Sequence, residues 1–146
     1  DAAGDGRPHP LRLALAAKDD DVQTIDRLLD AGAEVDHSED GLPPLHWACW
    51  RGRGAAARRL VEQGADIHRR NTYGGDALST ALHGSANCFD VEGGPGTKLP
   101  EEAVDGDYVA IVELLIAHGA TLPDEIGLGS EAVHEVLRRY GVADPD

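Results

Sequence analysis

The sequence predicts an all-α solenoid: about three helix-turn-helix repeats packed side by side, a C-terminal capping helix, and a long loop insertion in the third repeat. Three observations predict it. First, Pro43-Pro44-Leu45-His46-Trp47-Ala48-Cys49-Trp50-Arg51-Gly52 reads as a helix opened by proline and stopped by glycine, and a second apolar run through Leu60 and Val61 ends in Gly64-Ala65-Asp66. Second, that ending recurs: as Leu28-Leu29-Asp30-Ala31-Gly32-Ala33, as Leu114-Leu115-Ile116-Ala117-His118-Gly119-Ala120 and, worn, as Val136-Leu137-Arg138-Arg139-Tyr140-Gly141-Val142. Third, the closing glycines keep a spacing: Gly32 to Gly64 is 32 residues, Gly64 to Gly119 is 55, and Gly119 to Gly141 is 22. Against a repeat of about 33 residues, the third unit carries about 22 extra and the fourth lacks about 11.

Pro44-Leu45-His46-Trp47-Ala48 resembles the Thr-Pro-Leu-His-x-Ala signature of ankyrin repeats, with Pro43 in place of the threonine. The resemblance runs from Leu11 to about Val142. It implies the fold strongly and the function only in outline: proteins of this family usually hold a protein partner on the finger tips and the exposed ends of the inner helices. The Gly-Ala-Asp-rich composition also resembles that of bacterial ankyrin proteins.

Residues 1–10 are rich in Gly, Ala, Asp and Pro and are expected to be a disordered leader. A chain that begins at Asp1 and holds no methionine is expected to be part of a longer one. Repeat one spans 11–40. Leu13 to Ala17 form its inner helix, with Ala14 where the signature has histidine, and Lys18 to Asp21 make the turn. The acids of that turn suit the positive end of the next helix. Ile25, Leu28 and Leu29 recur at helical spacing as its buried stripe, and Gly32 ends it in a left-handed conformation.

Repeat two spans 41–70, with inner helix Leu45 to Arg51 and outer helix Gly54 to Gln63; Ala56, Ala57, Leu60 and Val61 point inward. Repeat three spans 71–120. Gly74 repeats the turn glycine Gly41, and Asp76 takes the place of the signature threonine as an N-cap. Ala77 to His83 form the inner helix and Asp107 to Leu115 the outer one. Between them lies the insertion, 84–106, expected as a surface loop with Gly93-Gly94-Pro95-Gly96 in its middle and a helical turn beginning near Leu99-Pro100-Glu101-Glu102. Residues 121–146 form the cap: a connector without an inner helix, then one amphipathic helix, Ser130 to Arg139, that turns Val133, Val136 and Leu137 to the array.

Charge excludes some functions. With 27 acids against 13 bases the net charge is −14, so phosphate backbones and anionic membranes are repelled and a basic protein surface is attracted. The two cysteines are too few for a disulfide framework. The expected protein is monomeric and cytoplasmic, binds a protein partner, and has no cofactor, metal or catalytic residue.

Carried over by the resemblance, the partner-binding residues are Asp40, Leu42, Trp50, Arg51, Tyr73 and His83. Trp50 weighs most, because an exposed tryptophan beside an arginine has the composition of an interface hot spot. Trp47 falls at a position that is normally buried, and His46 at one where the family's histidine is structural. Cys49 sits at a tight buried position, which argues against a zinc site with His46, His83 and Cys88. Asp90, Glu92, Glu101, Glu102 and Asp105 lack the spacing of a calcium loop. Two other functions are weighed: a small-molecule or enzymatic pocket where the insertion covers Trp50, Tyr73 and His83, and a structural cap or spacer within a larger protein.

Overall fold

A computed structural model describes residues 10–38, 41–87 and 101–145. Among these, seven helices form in chain order: α1 (Pro10–Lys18), α2 (Val22–Asp30), α3 (Pro44–Arg51), α4 (Gly54–Glu62), α5 (Ala77–Asn87), α6 (Glu101–Ala117) and α7 (Glu131–Arg139). No strand longer than an isolated bridge occurs among the described residues. Helices α1, α3 and α5 stack as an inner row, and α2, α4, α6 and α7 as an outer row. This is the expected solenoid, and its core is a set of seams filled by Leu, Ile, Val and Ala.

The local signals act as their chemistry dictates. The Asp21 carboxylate caps α2 by accepting from the Thr24 backbone N–H at 3.1 Å and from its hydroxyl at 2.7 Å. Both bonds hold the Asp21 carboxyl below the usual carboxylate range. Asp76 accepts from the Ser79 N–H at 2.9 Å at the start of α5, and Ser130 caps α7. Gly32, Gly41, Gly64, Gly74, Gly119 and Gly141 all have positive φ, so the recurring glycines mark the recurring turns. Ile25 and Leu28 are buried in α2, Ala56, Ala57, Leu60 and Val61 in α4, and Val133, Val136 and Leu137 in α7.

Two boundaries differ from expectation. Pro10 is not leader but the first residue of α1; residues 1–9 lie outside the described set. The segment 84–106 is helical at both ends, because α5 runs on to Asn87 and α6 begins at Glu101. Helix α5 continues through Gly84 because only glycine fits there: a Cβ would lie 2.5 Å from the Trp50 carbonyl oxygen. The expected Gly93-to-Gly96 centre of the loop, with Asp90 and Glu92, falls outside the described residues, as do the side chains of Glu101, Glu102 and Asp105.

The connector after Gly119 contains no inner helix, as its length demands. It pairs instead with the segment beyond α7, through the Ile126 N–H to the Ala143 carbonyl at 2.8 Å and a parallel bridge between Glu125 and Ala143. Arg138 gathers Glu131, Glu135 and Asp144 on the outer face of α7, giving the end of the array a polar skin.

Successive repeats are tied by one hydrogen bond made twice. Arg53, on the turn before α4, donates from Nε to the Lys18 carbonyl at 2.8 Å. Tyr108, in α6, donates its hydroxyl to the Trp50 carbonyl. Lys18 and Trp50 stand 32 residues apart, and Arg53 and Tyr108 each stand 11 residues before their repeat's closing glycine. Both bonds are part-buried, but Arg53 is itself half-buried, whereas Tyr108 is 1 % exposed and is the largest fully buried side chain among the described residues. Gly52 makes room for it: at φ +70, a Cβ there would meet the Tyr108 ring at 2.9 Å. Asp20 occupies the matching place in repeat one, at φ 60, and its carboxylate accepts from the Ala56 N–H at 2.8 Å, capping the start of α4.

Candidate functional site: an aromatic groove between finger and helices

The finger that opens repeat three is fixed by one side chain. The Asn71 carboxamide oxygen accepts from the backbone N–H groups of Tyr73 at 2.8 Å and Gly75 at 3.3 Å, a local turn that asparagine favours. Its amide nitrogen donates to His46 Nδ1 at 3.0 Å and to the Thr80 hydroxyl at 3.1 Å. Arg70 adds a bond from its guanidinium to the Gly74 carbonyl at 2.7 Å. The finger is thereby bound to α3 and α5 together, and Tyr73 stands at its tip, 83 % exposed.

His46 is the buried end of this network. Because Asn71 donates to Nδ1, the ring proton belongs on Nε2. Burial outweighs the favourable charge of Asp76 and pushes the imidazole pKa down to about 4, so the ring is neutral. Pro43 lacks the hydroxyl that the family's threonine would offer. Nε2 is buried with no full hydrogen bond among the described residues. A neutral histidine that solvent does not reach serves structure. Cys49 is fully buried and its thiol pKa is pushed up, which leaves it inert. Among the described residues no group of three or more His, Cys, Asp or Glu side chains converges as a metal site.

Between this finger and the inner helices lies a groove of about 590 Å³. Trp47 and Trp50 of α3 form one wall, and Ser79, Thr80 and His83 of α5 the other. Asn71, Tyr73, Gly74 and Gly75 form the finger side, with Leu42 at the neighbouring finger. No Asp, Glu, Lys or Arg is among these described lining residues, although 27 % of the chain is charged. The Lys18 ammonium lies 4.5 Å from the Trp47 ring centroid, an internal cation–π contact beside the groove.

Of the six residues carried over from the sequence, Leu42, Trp50, Tyr73 and His83 come together on this groove. Arg51 is half-buried in the last turn of α3 and is not part of the lining, and Asp40 lies outside the described residues. Trp47 corrects an expectation: it is half-buried and lines the groove instead of filling the core. The matching positions explain it, since Leu15 there is 45 % exposed and Thr80 is 7 % exposed, so the site sits at a boundary that an indole is too large to cross. Asn71 was not singled out from the sequence, although an asparagine before Tyr-Gly-Gly signals a turn. The small-molecule pocket weighed from the sequence needs the insertion over Trp50, Tyr73 and His83, and the middle of that insertion lies outside the described residues. No carboxylate lines this groove among the described residues.

Comparison with known proteins fits this architecture. A model of ankyrin repeats (3 copies) matches residues 12–91. The palmitoyltransferase AKR1 of Gibberella zeae is 33 % identical over 79 residues, which is 52 % of this chain and 10 % of that protein. The SH3 and multiple ankyrin repeat domains protein 2 of Homo sapiens is 29 % identical over 141 residues, 86 % of this chain and 7 % of that protein. The E3 ubiquitin-protein ligase XBAT32 of Arabidopsis thaliana is 31 % identical over 156 residues, 88 % of this chain and 30 % of that protein. The chain thus spans about a tenth of the length of the palmitoyltransferases that it matches. These relatives are eukaryotic and lend no support to the bacterial resemblance. Ankyrin repeats generally mediate protein–protein interaction, and among the described residues no helix is long and apolar enough to cross a membrane. With a model of ankyrin repeats matched over more than half of its length, the chain belongs to the ankyrin-repeat family.

Proposed function

We propose that this chain is a protein-interaction module that grips its partner in the aromatic groove. One observation carries the reading: Trp50, Trp47 and Tyr73, brought from α3 and a finger, wall a single groove on the face where the family's partners dock. Aromatic anchors of this kind supply most of the binding energy in many interfaces. The stacked helices and the Asn71 network hold the groove in place before binding, so little ordering entropy is lost. Leu42 and His83 complete the contact surface, and Arg51 and Asp40 are added as partner contacts on the resemblance alone. The net charge of −14 steers a basic partner from a distance and raises the association rate, while the groove itself gives the affinity. We assign the chain no catalytic step or cofactor, and read it as a monomer in the cytoplasm.

The test is affinity capture from a lysate, comparing the parent chain with a Trp50→Ala/Tyr73→Ala variant by quantitative mass spectrometry, with circular dichroism to show equal helicity. A protein retained by the parent and lost from the variant supports the reading. Identical captures from both place recognition elsewhere.

A further inference from the structure

We infer that the groove's occupant is an extended, proline-bearing segment of the partner protein, low in charge where it touches the groove; the inference rests on the interaction reading above. Three features of the lining point to it. One wall is the two indoles of α3 and the finger adds the Tyr73 phenol, and proline rings stack against such faces with little entropy to lose. The groove is unlike the rest of the molecule in having no formal charge among its described lining residues, so a charged side chain seated there would be desolvated without a counter-ion. The third feature is a surplus of donors. Each indole carries a donor and no acceptor. Neither the Trp47 nor the Trp50 N–H makes a hydrogen bond to protein among the described residues, whereas Asn71 and Thr80 are already committed to the finger.

A ligand complementary to such a lining brings acceptors to the indoles, is uncharged and bears rings. A proline-containing strand in the polyproline conformation meets all three conditions. Proline has no N–H, and its backbone carbonyls point outward, free to accept from indole donors. An amphipathic helix fits less well, because its carbonyls are consumed internally and it needs a broader apolar trough. A basic peptide fits the molecule's long-range field but not the groove.

Both tryptophans of the chain line the groove, so tryptophan emission reports directly on its occupancy. The probes are three arrays of short capped peptides: neutral sequences with two prolines spaced by two residues, the same sequences with alanine for each proline, and basic amphipathic sequences. The expected result is saturable change of emission with members of the first array, an affinity about tenfold weaker for their alanine versions, and loss of the response in Tyr73→Ala. Tyr73 is 83 % exposed, so that variant keeps the fold. Equal binding of the alanine peptides, preference for the basic array, or no saturable response from any proline-bearing member overturns the inference. The interaction reading fails separately. If a captured partner depends on Trp50 but hydrogen exchange maps its bound segment as charged or helical, the reading stands and this inference does not; if no capture depends on Trp50, both fall.

Discussion

The joint between repeats one and two and the joint between repeats two and three use the same bond for different ends. At the first, Arg53 reaches the Lys18 carbonyl, Asp20 caps α4, and Arg59 pairs with Asp26 at 3.1 Å, all partly exposed to water. At the second, the corresponding donor is a buried tyrosine, Gly84 lets the α5 backbone approach that of α3, and His46, Asn71 and Thr80 form a half-buried chain of hydrogen bonds. The difference teaches where stiffness is placed. The aromatic groove stands on the second joint, so the proposed recognition face is built over the tightest seam of the solenoid.

The contrast can be broken most severely at Tyr108. Tyr108→Ala empties the largest buried side chain and should lower unfolding stability by about 3–5 kcal/mol in urea titration. A loss under 1 kcal/mol would show that the ring is dispensable. Acid should act next most strongly. The neutral His46 contributes its stability fully above pH 6.5, the ordinary imidazole value, and loses it as pH falls toward about 4, because the unfolded chain takes up the proton first. That loss is worth about 3 kcal/mol. Urea midpoints between pH 7 and pH 4 should fall in the parent and fall less steeply in His46→Gln; equal slopes would assign the effect to other groups.

A pair of glycines sharpens the contrast. Gly84→Ala drives a methyl into the Trp50 backbone and should cost about 1–3 kcal/mol despite alanine's better helix propensity. Gly54→Ala, at the start of α4, meets only an ordinary contact with Asp107 of repeat three at 3.8 Å and should be neutral or slightly stabilising in thermal unfolding, so tight packing at the second joint is local to Gly84. The smallest comparison removes each tie alone. Tyr108→Phe takes a buried donor from the Trp50 carbonyl and should cost about 1 kcal/mol, whereas Arg53→Ala removes a half-buried donor that water replaces more easily and should cost about 0.5 kcal/mol. Equal losses would erase the distinction between the joints.

Much of this fold was legible because the turn residues repeat. Glycine spacing located the repeats, and Asp21, Asp76 and Ser130 were readable as helix starts. Trp50, Tyr73 and His83 were readable too, since finger tips and inner-helix ends keep their phase. Trp47 was misjudged because its position is a boundary, occupied by a large half-exposed leucine in one repeat and a small buried threonine in another. The role of Asn71 depends on His46, 25 residues away, and no local pattern carries such a bond. The shared tie of Arg53 and Tyr108 was hidden differently. Their phase is identical, but a guanidinium and a phenol do not look alike in sequence, and the insertion separates Tyr108 from the helix to which it answers.

The most direct test of a groove set on the stiffest seam is native-state hydrogen exchange resolved by residue. Amides of α3 and α5 should exchange most slowly, near the rate set by global unfolding, while those of α1 and α2 open earlier. If α1 and α2 are protected as strongly as α3 and α5, stiffness is uniform along the array and the contrast between the two joints is contradicted.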